Sequence, residues 1–346
     1  LRNKHQEVNF LLGVSEFNNR NYNKSADYLK LVTDDIYLDR KNFYLGVISY
    51  LNDDLESALE FFSNSNDDNL ESKYLQYLIS INFLNKNYEE TILFENRLNP
   101  NIENLDYCYF YIGKSYFILK DFKKTIGMLS KLQSKVDRVD EILFMTAYSH
   151  YMNGDSELSK SLFKELSYSS SVYSQYSSFY LGMIFLDEKN FNLAKNYFYA
   201  SYKKEANEYY TKNSLINYAK SNYELGDYDL SIAVLNKYKN SYPDDDFTKI
   251  DDLLSENYFM TNNYSRIIQY LNSKNNISAD DKLKFQYVTY QKGVGEFNRG
   301  NFKSSIKYFD LSKRYNLNKD IYIKSVLSKS EALFIGNLFK DAVNEL

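Results

Sequence analysis

Gly113-Lys114-Ser115 has the form of the end of a phosphate-cradling loop, in which backbone N–H groups and a lysine grip a nucleotide. The glycine such a loop requires five residues earlier is Cys108, and no strand pattern precedes the triplet, so nucleotide binding is not expected there. Gly293-Val294-Gly295 opens a dinucleotide fingerprint, but the position of its third glycine is Asn298. Asp244-Asp245-Asp246 follows Pro243 and would attract a hard cation, yet no glycine-centred loop or distal Glu completes a calcium site. A solvated turn is the expectation. Cys108 stands between Tyr107 and Tyr109 with no histidine in its pattern, which reads as a small buried hydrophobe. His150, beside Tyr151, would need an orienting carboxylate and a nucleophile to act as a base, and neither is identifiable; His5 lies 145 positions away. No catalytic, cofactor-binding or metal-ligating set emerges, and a non-enzyme is expected.

Composition sets the class of element that must carry these residues. The 346 residues include 36 Tyr and 24 Phe but no Trp, only 11 Gly and 2 Pro. So few breakers cannot supply the turns of an all-β protein, and helices become the default. A hydrophobic share of 44% with 25% charged residues excludes intrinsic disorder. The net charge of −4 is too balanced for a chain whose work is coating nucleic acid or an anionic membrane. No apolar run approaches the roughly 20 residues of a bilayer span, so direct membrane insertion is not expected. One cysteine cannot close an internal disulfide. The chain starts Leu1-Arg2-Asn3-Lys4 and stops in the middle of an apolar pattern, which reads as a piece of a longer protein.

The chain repeats itself. A small residue and, nine positions on, an aromatic one recur as Gly13 and Tyr22, Gly46 and Leu55, Ile79 and Tyr88, Gly113 and Phe122, Ala147 and Ser156. The series continues with Gly182 and Phe191, Ala219 and Tyr228, Ser255 and Tyr264, Gly293 and Phe302, Ser330 and Phe339. Second marks are 33 to 38 residues apart, and a third, small mark follows each by three: Ser25, Ala58, Thr91, Thr125, Ser159, Ala194, Ser231, Ile267, Ser305 and Ala342. Polar segments such as Asp187-Glu188-Lys189-Asn190 fall between the first two marks, with apolar residues at spacings of three and four on either side. The pattern predicts about ten pairs of antiparallel helices, each helix roughly 20 Å long, with small residues where the two backbones cross. It also predicts one continuous array over 1–346.

This register resembles the tetratricopeptide repeat family, whose unit is 34 residues with a small residue in the first helix, an aromatic after the turn, then Ala and a terminal Pro. The run Tyr218-Ala219-Lys220-Ser221-Asn222-Tyr223-Glu224-Leu225-Gly226-Asp227-Tyr228 fits closely, and Pro243 falls where the family places its helix-ending proline. Departures are the missing Trp, the bulky Ile79 and Ile267, and Leu55 and Ser156 in aromatic positions. The stretch from Tyr290 to Phe302 is also similar to the long, Asn/Lys/Tyr-rich repeat proteins of bacterial cell envelopes, which implies a periplasmic or envelope location in preference to the cytoplasm.

The resemblance implies an all-α, right-handed superhelical solenoid whose first helices line a concave face. Inward positions then lie three before, one after and four after the small mark. The candidate partner-binding residues are Phe17, Tyr50, Lys114, Phe117, Tyr148, Tyr151, Met183, Lys220, Tyr223 and Phe297. The position three before the mark, as in Phe10, Phe110, Phe144 and Phe179, is expected to pack between repeats. Tyr and Phe give large contact area with two torsions to freeze, which suits peptide recognition, although the aromatic excess also substitutes for Leu and Trp in helix packing. The family's carboxylate-gripping pocket uses Lys and Asn at inward positions. Here those positions carry mostly Phe, and Val, Ser, Lys or Tyr, so no such clamp is expected. The implied function is a non-enzymatic scaffold binding a protein or peptide, with no nucleic acid, small-molecule substrate or cofactor. Two alternatives are an architectural spacer in an envelope assembly and a peptide-sensing module of a larger protein. Residues 51 to 100 carry three basic and ten acidic residues, among them Asp53-Asp54, Asp67-Asp68 and Glu89-Glu90, and read as a solvated surface.

Overall fold

The structure, a computed structural model, describes residues 2–65, 68–133, 136–274 and 276–346; Asp67 lies outside them. Among the described residues there are twenty α-helices and no strand. They follow one another as short-turn hairpins: α1 (Arg2–Asn18) with α2 (Tyr22–Lys30), and α3 (Asp35–Leu51) with α4 (Leu55–Ser63). Next come α5 (Asp68–Leu84) with α6 (Tyr88–Leu93), which runs into a 3-10 turn at Phe94–Arg97, then α7 (Leu105–Ile118) with α8 (Phe122–Leu129). The middle of the chain holds α9 (Val139–Met152) with α10 (Ser156–Leu166), α11 (Tyr173–Asp187) with α12 (Phe191–Lys204), and α13 (Glu208–Glu224) with α14 (Tyr228–Ser241). The last are α15 (Thr248–Met260) with α16 (Tyr264–Ser273), α17 (Ala279–Asn298) with α18 (Phe302–Lys313), and α19 (Lys319–Ile335) with α20 (Phe339–Glu345). The chain divides into two compact units, Leu1–Ser177 and Ser178–Leu346.

The small first mark is where a hairpin closes. A Cβ added to Gly46, Gly182 or Gly293 would come within 2.7 Å of a ring carbon of Phe62, Phe198 or Phe309, sixteen residues on in each case. Gly13 and Gly113 meet Leu29 and Leu129 in the same way, at 2.6 and 2.9 Å. These partners are buried, so the small residue admits a large one from the second helix. The exception at Ile79 has its own setting: the residue sixteen on is Glu95, in the 3-10 turn that follows the short α6, in place of the large apolar partner found elsewhere. Ser255 and Ile267 exchange sizes within their hairpin, and both are buried.

The third mark is buried throughout, from Ser25 to Ala342. Two of its hydroxyls close the crossing with a hydrogen bond: Ser25 Oγ donates to the Gly13 carbonyl at 2.7 Å and Ser231 Oγ to the Ala219 carbonyl at 2.9 Å. In the last hairpin the roles reverse, and Ser330 Oγ donates to the Ala342 carbonyl at 2.8 Å. The second mark, expected to fill space beside the turn, is half-buried at Tyr22, Phe122 and Tyr228 and exposed at Phe339.

Turn chemistry repeats with the same register. The residue seven after each first mark is left-handed: Arg20, Asp53, Lys86, Lys120, Lys189, Asn262 and Asn337 at φ +53° to +64°, and Gly154, Gly226 and Gly300 at +77° to +82°. In six of the hairpins the following Asp or Asn caps the second helix with its side chain, as Asp54 Oδ1 accepts from Ser57 N, Asp121 Oδ1 from Lys124 N, Asp155 Oδ1 from Leu158 N and Asn190 Oδ1 from Leu193 N. A further tie sits seven before the mark and holds the loop that leaves the hairpin. Gln6 Oε1 accepts from Thr33 N at 2.6 Å, Asp106 Oδ1 from Gln133 N at 3.3 Å, and Gln286 Oε1 from Asn318 N at 2.9 Å.

Candidate functional site

The chemistry-like motifs are absorbed into this framework. Gly113 and Gly293 are helix crossings, and Lys114 Nζ lies 2.5 Å from Glu141 Oε1. Ser115 Oγ donates to the Tyr111 carbonyl at 2.8 Å. Asp245 ties its turn, accepting from Lys212 Nζ at 2.9 Å and from the Tyr238 hydroxyl at 2.6 Å; these bonds hold its carboxyl below the usual carboxylate range. Asp246 Oδ1 accepts from Thr248 N and Oγ1, which lowers its carboxyl as well. His150 Nδ1 lies 3.2 Å from Asp155 Oδ2, locking a turn. Cys108 is fully buried in a cluster with Ile79 and Ile112, and burial pushes its thiol up to about 12. Among the described residues no three His, Cys, Asp or Glu side chains converge to hold a metal, and no helix is long and apolar enough to cross a membrane.

What remains is the face of the first helices. In the unit Leu1–Ser177 its rings form contacts from hairpin to hairpin. Phe17 meets Tyr44 with ring centroids 4.9 Å apart, Tyr50 meets Tyr77 at 5.1 Å, Phe83 meets Tyr111 at 5.0 Å, and Phe117 meets Tyr148 at 5.5 Å. Each pair joins the position four after one mark to the next hairpin. The same ring also packs on the turn of its own hairpin, as Phe17 on Tyr22 and Phe117 on Phe122. The position three before the mark is buried at Phe10, Phe110, Phe144 and Phe179, where rings of the following hairpin such as Tyr37, Tyr173 and Tyr210 cover three of the four.

Of the ten candidates, nine are half-buried and Lys220 is exposed. Phe117, Tyr148 and Tyr151 share one ring cluster, extended by Phe122 and Phe144. Lys114 lies beside it, with its ammonium 5.4 Å from the Phe83 ring centre and 5.6 Å from that of Phe110. The Arg138 guanidinium also grips Glu141, at 3.1 Å, so that carboxylate is shared by two cations. Phe17 and Tyr50 pack around the core cluster of Val47 and Phe62. In the unit Ser178–Leu346, Met183 packs against Phe198 and its neighbours, while Tyr223 and Phe297 meet their own turn rings Tyr228 and Phe302 at 5.5 and 5.4 Å. Lys220 has no partner among the described residues. Burial, with Glu256 nearby, raises the Tyr223 phenol.

The sequence reading missed Tyr44, Tyr77 and Tyr111, two before the mark in their hairpins. They receive the rings of the preceding hairpin, and burial raises all three phenols. Their signal was present in the register, one position from the inward Phe. Clefts also lie elsewhere among the described residues. One of about 570 Å³ is lined by Lys239, Phe247, Tyr270 and Lys274, but both lysines are paired, with Asp251 at 2.7 Å and Asp281 at 2.5 Å. Another, about 610 Å³, lies beside Asp106, Tyr107, Tyr109 and Lys131.

An all-α array of helix hairpins with small-residue crossings and a row of rings along its first helices is the class these features define. It is the tetratricopeptide repeat fold: residues 214–245 match the tetratricopeptide repeat family, and a solved structure the chain is similar to is a protein of that kind. The C-terminal part of a TPR repeat-containing protein from Cytophaga hutchinsonii matches with a TM-score of 0.50 at 15% identity, covering 78% of this chain and 99% of that one. A tetratricopeptide repeat protein from Parabacteroides merdae matches with a TM-score of 0.38 at 13% identity, covering 84% and 98%. No curated protein matches the chain. Proteins of this family generally mediate protein–protein interaction.

Proposed function

We propose that the chain is a non-enzymatic scaffold that binds a protein or peptide on the face lined by its first helices. The observation that carries this reading is the row of half-buried Phe and Tyr rings at positions set by the repeat, beside charged groups that are paired for structural ends. Rings held edge-on by their neighbours present apolar area with little side-chain entropy left to lose on binding, which is the economy seen at binding hot spots. A partner with aromatic or aliphatic anchors in an extended or helical segment fits such a row.

Pull-down from the native cell extract with the wild-type chain, compared with a Tyr148→Ser, Tyr151→Ser, Phe297→Ser variant of unchanged helicity, tests the reading. Loss of a specific partner in the variant supports the inner row. Equal recovery by both overturns it and favours an architectural spacer that uses other surfaces.

A further inference from the structure

We propose that the cleft between the start of α7 and the segment after α8 binds a small zwitterion, an amino acid or short peptide with an apolar side chain, through Asp106 and Lys131. The repeat supplies its own comparison. Seven residues before the mark, Gln286 uses both ends of its amide on the loop that leaves the hairpin: Oε1 accepts from Asn318 N and Nε2 donates to the Asn318 carbonyl, each at 2.9 Å. Asp106 holds the same register position and makes only the first of these bonds, Oδ1 accepting from Gln133 N at 3.3 Å. Its second oxygen, Oδ2, is covered from solvent and has no hydrogen-bond partner, and the residue as a whole is 8% exposed. A buried carboxylate oxygen without a donor is rare, because nothing replaces the hydration it has lost. What this oxygen lacks is a donor that the chain does not supply.

Lys131 lines the same cleft, two residues before Gln133. Its ammonium lies 5.4 Å from the Tyr109 ring centre and 4.0 Å from Met128 Sδ, and it has no carboxylate partner among the described residues. One free carboxylate oxygen and one free ammonium in a single cleft select their ligand by charge. A plain cation would meet Lys131 and a plain anion would meet Asp106, whereas a molecule that carries both charges satisfies each of them. Ile102, Leu105, Tyr107 and Tyr109 line the rest of the cleft and offer apolar surface to a side chain. Its volume of about 610 Å³ falls among those of small-molecule sites and has room for one or two residues. Tyr107 and Lys131 are exposed side chains that can turn aside, which opens the way to Asp106. In the cleft beside Tyr270, by contrast, Lys239 and Lys274 are already paired with carboxylates of the chain.

The test is calorimetric titration of the 346-residue chain with four probes, L-phenylalanine, phenylalanylglycine, 2-phenylethylamine and 3-phenylpropanoate. Each is taken to about 10 mM, roughly ten times the concentration that half-fills a site of 1 mM Kd. The amine and the acid keep the ring and lose one charge each. At least one of the two zwitterions should bind saturably, one per chain, and about tenfold or more tightly than either singly charged probe. Asp106→Asn keeps the acceptor for Gln133 N and removes the charge; Lys131→Met changes an exposed side chain. Each should weaken the binding by about tenfold or more, while circular dichroism and the thermal midpoint match wild type, and Lys131→Arg should retain it. Absence of saturable binding by both zwitterions overturns the proposal. So does equal binding of the amine or the acid, or an Asp106→Asn chain that binds as wild type does.

Discussion

Gly182→Ala and Gly295→Ala, the same change in two helices of one unit, should move stability in opposite directions. Both glycines lie within helices, so alanine brings a gain of up to about 1 kcal/mol at each from helix propensity. At Gly295 nothing lies within 4 Å of the added Cβ, and the gain stands alone. At Gly182 the Cβ would sit 2.7 Å from Cδ1 and Cε1 of Phe198, about 1 Å inside normal carbon contact, and the Phe198 ring is wholly buried. Overpacking of that kind costs about 1–3 kcal/mol. Ala147 faces the equally buried Phe163 in another hairpin, so the crossing can widen, and the lower part of that range applies. The net expectation is about 0–2 kcal/mol destabilising for Gly182→Ala against up to about 1 kcal/mol stabilising for Gly295→Ala. Gly182→Leu, with three more carbons to place beside the buried Phe198 ring, should cost more than Gly182→Ala. Repeat arrays do not always unfold as one cooperative block. Hydrogen exchange read by mass spectrometry over α11–α12 and over α17–α18 should therefore accompany urea denaturation. Equal shifts at the two sites, or a Gly182→Leu chain with unaltered protection in α11–α12, would refute the account of the crossing.

Three further outcomes follow from particular contacts. Cys108, buried and with its thiol pushed up to about 12, should resist alkylation at pH 8 in native buffer and become labelled as urea opens α7; rapid labelling of the folded chain would contradict its burial. Burial alone would raise the Asp281 carboxyl, but bonds from Lys274 and Ser255, both at 2.5 Å, hold it below its ordinary value. A depressed folded pKa gives stability that is present above the unfolded value near ~3.9 and is lost as pH falls through the folded one, so protection of α16–α17 should weaken below about pH 4. Lys274→Met, which strands that buried carboxylate, should cost about 3–5 kcal/mol, and acid protection unchanged by Lys274→Met would count against the pairing. Lys189→Gly relieves a left-handed residue at φ +57° and should raise stability by up to about 1 kcal/mol, read as an upward shift of the thermal midpoint.

The fold was legible because its strictest demands are steric and recur at fixed spacing. A crossing that admits Phe198 beside Gly182 leaves its small residue in the sequence once per hairpin, and a turn that caps a helix leaves an Asp or Asn such as Asp121 or Asn190. The left-handed turn position was harder to see, since only Gly154, Gly226 and Gly300 advertise it, while Arg, Asp, Lys and Asn occupy it elsewhere. The tolerance of Ile79 was invisible from position 79 alone, because it depends on Glu95 and on the early end of α6. The row of rings along the first helices was legible in residue type and not in pairing. Which ring meets Phe17 or Phe117 depends on which register position of the next hairpin carries one: Tyr44 stands two before its mark, whereas that position is Met145 in the hairpin after Phe117, which meets Tyr148, one after the mark.

That dependence determines how the inner face should be tested. Tyr148 touches Phe117 and Phe122 as well as facing outward, so Tyr148→Ser removes contact area for a partner and also weakens the seam between two hairpins. Aromatic pairs of this geometry contribute about 0.5–1.5 kcal/mol beyond their buried area, so a loss of binding in that variant mixes two causes. Lys220 separates them. It is exposed on α13, one turn before Tyr223, and has no partner among the described residues. Lys220→Glu should leave urea unfolding and exchange protection within about 0.5 kcal/mol of wild type, as surface changes do. If a partner covers that face, the reversal of charge should change its affinity and the salt dependence of its association, raising affinity for a basic segment and lowering it for an acidic one. A partner whose binding responds to Tyr148→Ser but not to Lys220→Glu would confine the inner site to the first unit. One that responds to neither would move it off this face altogether.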